Sequence, residues 1–229
     1  MTGGAHEALE ETACVAFGSG PSALCAETEV AIIEALGKCS CKLLYRDTSG
    51  HHKEVSLGDG LRKADRRGTY CAMHLERQSP ALRGCLTPVA VESDAIDRIN
   101  LYISPPESGA PMHFDTRWSV VVQLAGSKLW QVGPGPAVAE PLCNVVADEQ
   151  AGEAFHLGQR IALPEQMSFV NLQPGDWLML PWGTWHGTYS HGGSVSATLA
   201  FAEGTRPRFN ADFWANGTTR LPEGLRLLC

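Results

Sequence analysis

The stretch NLYISPPESGAPMHFDTRWSVVVQLAGSKLWQV, residues 100–132, contains short runs of apolar and β-branched residues separated by proline, glycine and polar residues. Such runs predict antiparallel strands, with Ala125-Gly126-Ser127 forming a tight hairpin turn between the last two. The same pattern of short apolar runs continues to about residue 203 in MSFVNL, DWLML and SVSATLAF, with no helical pattern between them. We therefore expect a mainly β fold, an antiparallel sandwich or barrel.

The segments around this core have weaker patterns. A capping Ser22, recurring apolar residues and a stop at Gly37 predict a helix over residues 22–36. Further predictions are a strand at 41–46, a long excursion or loop at 47–67, a strand at 69–75, weak helical pieces at 79–99 and a long connection from 133 to about 166. No internal repeat or inter-domain linker interrupts the chain, so we expect one barrel with a helical N-terminal flank.

Composition excludes several functions. The 229 residues include 18 Lys and Arg against 25 Asp and Glu, which gives a net charge of −7. An acidic chain without a basic cluster is not expected to bind nucleic acid. No run approaches the roughly 18 apolar residues of a membrane span, and the first residues lack a signal-peptide pattern, so we expect no membrane partner and a cytoplasmic location. The eight cysteines lack the paired spacing of a zinc site and are expected to be free thiols.

Three residues carry the strongest chemical signal. His113 and Asp115 are two apart in a predicted strand, so both side chains project from one face. Residues 175–186, GDWLMLPWGTWH, predict a strand, a Pro/Gly turn and then His186 on a rigid element. Two imidazoles and one carboxylate form the facial triad of non-haem Fe(II) oxygenases. The sequence therefore predicts that His113, Asp115 and His186 are metal ligands and catalytic residues.

Lys128, Asn100 and Tyr102 are candidates for binding a second ligand. Lys128 follows the predicted turn and begins the strand KLWQV, which can direct a side chain into a barrel. A buried cation needs an anionic partner, and a dicarboxylate cosubstrate supplies one. Asn100 and Tyr102 share one strand face and can donate hydrogen bonds to the same carboxylate. A solvated turn lysine and a core tyrosine are the alternative interpretation.

Residues 100–132 closely resemble the core of the JmjC-type 2-oxoglutarate oxygenases, and most of all the cupin-like protein hydroxylases that include ribosomal oxygenases and an asparaginyl hydroxylase. In that family an Asn-x-Tyr strand and a Pro-Pro turn lead into His-x-Asp. A Lys or Arg follows fifteen residues after the histidine, where this chain has Lys128. Residues 175–186 fit the second cupin motif, Gly-x5-Pro-x-Gly-x2-His. The motif's final Asn is Ser190 here and the cupin His-x-His is His-x-Asp, which favours the oxygenases over simple metal-binding cupins.

The resemblance implies a double-stranded β-helix, the jelly-roll barrel of cupins and JmjC proteins, over residues 98–203. Residues 1–97 would then form an N-terminal flank with helices and accessory strands. Residues 204–229 would form a C-terminal tail, and all three parts would belong to one structural domain.

The resemblance also implies the ligands of the site. Fe(II) would be bound by the His/Asp/His set, with 2-oxoglutarate as cosubstrate and dioxygen as oxidant. Lys128 would pair with the far carboxylate of 2-oxoglutarate, and Asn100 and Tyr102 would line its pocket. Ser196 and Thr198, on the strand SVSATLAF, are weaker candidates for the same pocket.

The implied function is a dioxygenase that hydroxylates an unactivated C–H bond of an amino-acid side chain in a peptide or protein, including a biosynthetic precursor peptide. A free or carrier-bound amino acid is the alternative substrate. Two other classes stay open: a non-oxygenase metal cupin, such as a Zn or Mn isomerase or hydrolase, and a catalytically silent cupin that acts as a sensor or scaffold. Lys128 favours the oxygenase, because the simple metal cupins need no cation there. The sequence leaves open whether the chain is a monomer or a homodimer.

Overall fold

The structure of the protein is a computed structural model. It describes the backbone of residues 15–19, 26–38, 41–45, 52–55, 68–87, 91–208 and 226–228, and the side chains of residues 31–38, 68–87 and 91–208. Across these ranges the chain forms two antiparallel sheets, a separate two-stranded hairpin and three helices. The expectation of a mainly β fold is confirmed.

The strands occur in the following order. They are β1 (Val15–Ser19), β2 (Cys41–Tyr45), β3 (His52–Val55), β4 (Gly68–Ala72), β5 (Ile96–Ser104), β6 (His113–Phe114), β7 (Ser119–Gly126), β8 (Lys128–Pro136), β9 (Val145–Val146), β10 (Glu153–His156), β11 (Gln159–Ala162), β12 (Ser168–Leu172), β13 (Asp176–Leu180), β14 (Thr184–Tyr189), β15 (Ser194–Phe201) and β16 (Arg226–Leu228). The helices are α1 (Ala26–Leu36), α2 (Leu75–Gln78) and α3 (Leu82–Leu86).

The chain alternates between the two sheets. The larger sheet has the order β16-β1-β13-β7-β15-β5-β4-β2-β3, and the smaller one has the order β12-β8-β14-β6-β9. From β5 to β8, and again from β12 to β15, each strand lies in the opposite sheet from the strand before it. This alternation of antiparallel strands is a double-stranded β-helix, and the expected cupin/JmjC jelly roll is confirmed.

The larger sheet has two chemically different faces, because side chains alternate along each strand. Residues such as Ile99, Leu101 and Leu199 pack on its outer face with α2, α3 and the buried side of α1 in one apolar cluster. Burying each such side chain stabilises the fold by about 1.5–3 kcal/mol. Asn100 and Tyr102 alternate with Ile99 and Leu101 and therefore face the barrel interior. The polar interior of the barrel thus follows directly from the strand period.

Two further apolar clusters support the smaller sheet. One lies between the sheets and includes Val121, Trp130 and Leu178, which fill part of the barrel. The other contains Phe114 and Trp185 and lies against the connection between β8 and β12. The strands that carry the histidines are therefore packed on both faces.

The flank matches the sequence expectations in part. The helix predicted over 22–36 is confirmed at Ala26–Leu36, and its first residues lie outside the described ranges. The strand predicted at 41–46 is confirmed at Cys41–Tyr45, and the one at 69–75 ends at Ala72 because Leu75 begins α2. In residues 79–99 the helical piece is α3, and β5 already begins at Ile96.

Two loop predictions are wrong in part. Residues 47–67 include β3, which pairs with β2 in an antiparallel register that sets Leu43 opposite Lys53. The Gly/Pro-rich start of the 133–166 connection still belongs to β8, which runs to Pro136, and the connection contains β9 and the β10–β11 hairpin. Composition suggested loops because these strands are short and lack a continuous apolar run. The chain turns at Ala125-Gly126-Ser127, with φ +62° at Gly126, but the predicted hairpin is wrong, because β7 pairs with β13 and β15 while β8 pairs with β12 and β14 in the other sheet.

Two composition-based expectations concern the cysteines and membrane-spanning helices. Among the residues whose side chains are described, Cys71, Cys85 and Cys143 form no disulfide. In the part of the chain that the structure describes, no helix is both long and apolar enough to cross a membrane.

Candidate metal centre

The structure brings His113, Asp115 and His186 together. Each offers one ligand atom, and the three atoms lie within 4.8 Å of one another. The imidazole rings of the two histidines have centroids 4.1 Å apart, and His186 Nε2 lies 3.8 Å from Asp115 Oδ2. Within the described residues no other group of three His, Cys, Asp or Glu side chains is arranged to hold a metal ion.

Strand pairing explains this convergence. His113 in β6 lies directly opposite His186 in β14, and His186 in turn lies opposite Val132 in β8. Phe114, between the two ligands of the His-x-Asp pair, points into the apolar cluster behind the sheet. Alternation along the strand therefore directs His113 and Asp115 to one side.

The turn before β14 fixes the approach of His186. Gly183 has φ +68°, and a Cβ atom there would lie 1.9 Å from the carbonyl oxygen of Val138. Its N–H donates a 2.8 Å hydrogen bond to the carbonyl oxygen of Asp115, which ties the turn to the strand that carries the carboxylate. Only glycine fits this close approach without strain.

Backbone carbonyls set the tautomer of both histidines. Nδ1 of His113 lies 2.8 Å from the carbonyl oxygen of Pro111, and Nδ1 of His186 lies 2.9 Å from that of Thr184. A carbonyl oxygen only accepts, so each Nδ1 must carry the hydrogen. Each Nε2 then presents a lone pair, which is the arrangement that metal-binding histidines need.

Burial keeps His186 uncharged. Desolvation, together with the neighbouring His113, lowers the pKa of His186 to about 4, although Asp115 and the Thr184 carbonyl partly offset this shift. At neutral pH the ring is therefore uncharged, and its Nε2 lone pair can bind a metal ion. Two imidazoles and one carboxylate fit a divalent first-row metal such as Fe(II), and three ligands leave further coordination positions open.

Lys128 is a buried cation inside the barrel. Its side chain is only 2% exposed, and Nζ donates a 3.0 Å hydrogen bond to Oγ of Ser196. Among the described residues no carboxylate lies within ion-pair distance of it. Burial lowers the pKa of Lys128 from 10.5 to about 8, and Cys71 partly offsets that shift. A buried cation of this kind is stable in a protein interior when an anion pairs with it.

The other predicted pocket residues form a polar row beside Lys128. Tyr102 lies opposite Ser196, and Asn100 lies opposite Thr198, so the four share the inner face of the larger sheet. The Asn100 side chain accepts a 3.2 Å hydrogen bond from the backbone N–H of His74. Cys71, burial and Asp115 all raise the pKa of Tyr102, so its hydroxyl keeps its proton and can donate.

Two residues at the site escaped the sequence interpretation. The ring of Trp130 stacks on His186 with centroids 5.9 Å apart, and Cys71 lies opposite Tyr102 on β4. The signal for Trp130 was its alternation with Lys128 on one strand. Cys71 gave no local signal, because only the pairing of β4 with β5 brings it to the barrel.

The aromatic residues next to the ligands in the sequence lie elsewhere. Trp118 and Trp182 pack in the outer apolar cluster, and Trp185 packs against Phe114 with ring centroids 4.7 Å apart. Arg117 binds Asp97 at 2.7 Å. Adjacency in the sequence does not bring these side chains to the metal cluster, because a strand sends neighbouring side chains to opposite faces.

A double-stranded β-helix with a His/Asp/His cluster inside it defines a metal-binding protein of the cupin and JmjC class. Residues 85–209 match the JmjC domain family, and this is more than half of the chain. The protein therefore belongs to the JmjC domain family. This membership and the donor set together support Fe(II) and 2-oxoglutarate as metal and cosubstrate.

Individual relatives are distant. An uncharacterized Bacillus subtilis protein, YxbC, is 27% identical over 123 residues, which are 51% of this chain and 36% of that protein. Two crystal structures of the Escherichia coli ribosomal oxygenase YcfD are 16% identical and have TM-scores of 0.50 and 0.51. They align with 79% of this chain and with 45% and 46% of theirs. The chain thus spans less than half the length of these proteins, and the YcfD likeness shows a shared fold.

Proposed function

We propose that this protein is an Fe(II)- and 2-oxoglutarate-dependent oxygenase that hydroxylates an unactivated C–H bond on an amino-acid side chain of a peptide or protein. One observation carries the proposal: a three-ligand metal cluster and a buried cation without a carboxylate partner among the described residues share one barrel interior. The cluster suits a metal that keeps open positions, and the cation suits an anionic second ligand. A simple metal cupin uses only the first of these features.

Each group of this chain has a task in that reaction. Together Fe(II), 2-oxoglutarate and dioxygen supply the oxidation, in which one oxygen atom enters succinate, formed with CO₂, and the other enters the substrate C–H bond as a hydroxyl. The triad holds the metal with its Nε2 atoms unprotonated. Trp130, stacked on His186, limits the movement of that ring and excludes water from its side of the site.

Lys128 is the proposed anchor for the far carboxylate of 2-oxoglutarate. Its present partner, the Ser196 hydroxyl, is neutral, so the charge is unbalanced until a carboxylate arrives. Tyr102 keeps the proton on its hydroxyl and donates a further hydrogen bond to the same carboxylate. Asn100 and Thr198 line the same face of the larger sheet. Charge-assisted bonds of this kind are roughly twice as strong as neutral ones.

The affinity for 2-oxoglutarate should fall at alkaline pH. The protonated form of Lys128 binds the carboxylate, and in the empty pocket that form is lost above a pKa of about 8. With Mn(II) in place of iron, we expect the Kd for 2-oxoglutarate to rise about tenfold between pH 7 and pH 9. Isothermal titration calorimetry in buffers of different ionisation heat checks this, because binding at pH 9 must also take up protons. A Kd that stays constant from pH 7 to pH 9.5 would contradict it.

A peptide or protein substrate is favoured over a small molecule by one comparison. The E. coli protein of the same fold is described as a ribosomal oxygenase, which implies a protein substrate for that enzyme. In addition, Asp115 keeps a side chain about one third exposed, so the metal cluster opens to solvent on one side. A free or carrier-bound amino acid would use the same opening.

The proposal is tested by cosubstrate turnover. The purified full chain is incubated with Fe(II), ascorbate and 2-oxoglutarate, and succinate is measured with and without pools of synthetic peptides. We expect slow succinate formation alone, faster formation with a productive pool, and a mass increase of 16 on a peptide that becomes 18 under ¹⁸O₂. Absence of succinate in every condition, with metal bound, would favour a metal cupin without oxygenase activity.

A further inference from the structure

We propose that Arg98 binds a carboxylate group of the substrate and so makes the enzyme selective for acidic substrates. This inference rests on the proposed oxygenase function and names a substrate class for it. Arg98 lies in β5, opposite Ala200 of β15. Its neighbour Ile99 belongs to the outer apolar cluster, so alternation directs Arg98 to the barrel interior, on the face of Asn100 and Tyr102.

Arg98 lies at the level of the metal cluster. On β15, Ala200 is four residues beyond Ser196, the partner of Lys128. On the facing strand β8, Val132 is four residues beyond Lys128, and Val132 lies opposite His186. Four residues of strand correspond to about 13 Å along both walls, and packed sheets are about 10 Å apart. Arg98 therefore faces the histidines across the barrel, away from the cosubstrate end.

Chain connections place Arg98 and Asp115 at the same mouth. Arg117, two residues after Asp115, binds Asp97 at 2.7 Å, and Asp97 immediately precedes Arg98. Ser119, at the start of β7, lies opposite the same Ala200 that faces Arg98. A substrate that reaches the metal through this mouth passes the Arg98 side chain.

The guanidinium of Arg98 lacks the partners that such a group normally has. Its Nε is buried and makes no hydrogen bond, and no carboxylate among the described residues lies within ion-pair distance. The neighbouring Arg117 contrasts with it, since Asp97 and Glu203 lie 2.7 Å and 3.8 Å from its guanidinium. A buried donor without a partner costs free energy, and a planar guanidinium recognises a carboxylate through two parallel bonds. The missing partner is therefore assigned to the substrate.

Two sources can supply that carboxylate: an Asp or Glu side chain of a peptide, or the α-carboxylate of an amino acid. Binding is measured on the full chain loaded with Mn(II) and N-oxalylglycine, an unreactive analogue of 2-oxoglutarate. One arm compares fluorescent nonapeptide pools that contain Asp or Glu with matched Asn or Gln pools. The other arm compares free amino acids with their α-amides. We expect at least about a tenfold preference for the carboxylate form in one arm.

The variants separate Arg98 from general charge effects. Arg98→Gln should remove the preference, and Arg98→Lys should restore it only in part, since an ammonium lacks the two-pronged geometry. Arg117→Gln is the matched control, because it removes an equal charge at the same mouth and should retain the preference. All variants should bind N-oxalylglycine as the wild type does.

Three results would overturn the proposal: no preference for carboxylates in either arm, a preference that survives in Arg98→Gln, or loss of N-oxalylglycine binding in that variant, which would assign Arg98 to the cosubstrate. Succinate formation by the wild type without substrate is measured in parallel. It tests the oxygenase function separately, because the binding comparison needs no turnover.

Discussion

His186→Ala is expected to lower the affinity for Fe(II) or Co(II) by at least about a hundredfold and to abolish succinate formation. The variant removes one of only three ligands, and loss of even an outer contact to a metal ligand costs ten- to hundredfold. The remaining His113 and Asp115 would form a two-ligand site with no fixed third donor. Equilibrium dialysis with Co(II), followed by metal analysis of the protein, measures the affinity.

A second buried histidine provides the control for this variant. His156 is 6% exposed, accepts a 3.1 Å hydrogen bond from the backbone N–H of Leu142 and packs near Phe114, outside the metal cluster. His156→Ala should lower the free energy of unfolding by about 1–3 kcal/mol, because it leaves the backbone N–H of Leu142 without its acceptor. Its metal affinity should equal that of the wild type. If His186→Ala retains wild-type affinity, or if both variants lose it equally, His186 is not a specific ligand.

The residues of the metal cluster were predictable because their geometry is local or encoded in a recognisable motif. A strand alone places His113 and Asp115 on one face, and the Pro/Gly turn before β14 announces a fixed position for His186. Lys128 was predictable for the same reason, since it begins a strand directly after a tight turn. The family resemblance supplied the spacing along the chain between the His-x-Asp strand, Lys128 and the turn before β14. Strand periodicity cannot supply this spacing.

Other features depend on contacts between distant segments and were not predictable. Cys71 reaches the barrel only because β4 pairs with β5 in a register that nothing in its own sequence specifies. Trp118, Trp182 and Trp185 are close to the ligands in the sequence, but they pack into two apolar clusters away from the metal site. No signal in the sequence pointed to Arg98 either. The reason to assign it a role is that its buried Nε has no hydrogen-bond partner among the described residues, and only the folded structure reveals this.

Lys128→Met should have opposite effects on cosubstrate binding and on stability. Without the cation, the Kd for 2-oxoglutarate or N-oxalylglycine should rise roughly a hundredfold or more, since truncating one partner of a buried ion pair costs 2–5 kcal/mol. Metal affinity should stay unchanged, because Lys128 does not contact the triad. Calorimetry on the Mn(II)-loaded protein measures the Kd for the cosubstrate, and titration of the metal-free protein with Mn(II) measures the metal affinity. Lys128→Arg is the control, and it should retain most of the affinity because it keeps the charge.

The same variant should be more stable than the wild type when no cosubstrate is bound. The pKa of Lys128 is lowered to about 8 in the folded protein, so the unfolded chain binds an extra proton between about pH 8 and 10.5. The buried charge therefore destabilises the empty wild type most below pH 8, and this penalty fades as the pH rises towards 10.5. Met fills a similar volume without charge, and we expect a gain of about 1–3 kcal/mol at pH 7 that shrinks at pH 10. Denaturation at both pH values measures it, and equal stability at pH 7 would mean that Lys128 is already neutralised without a cosubstrate.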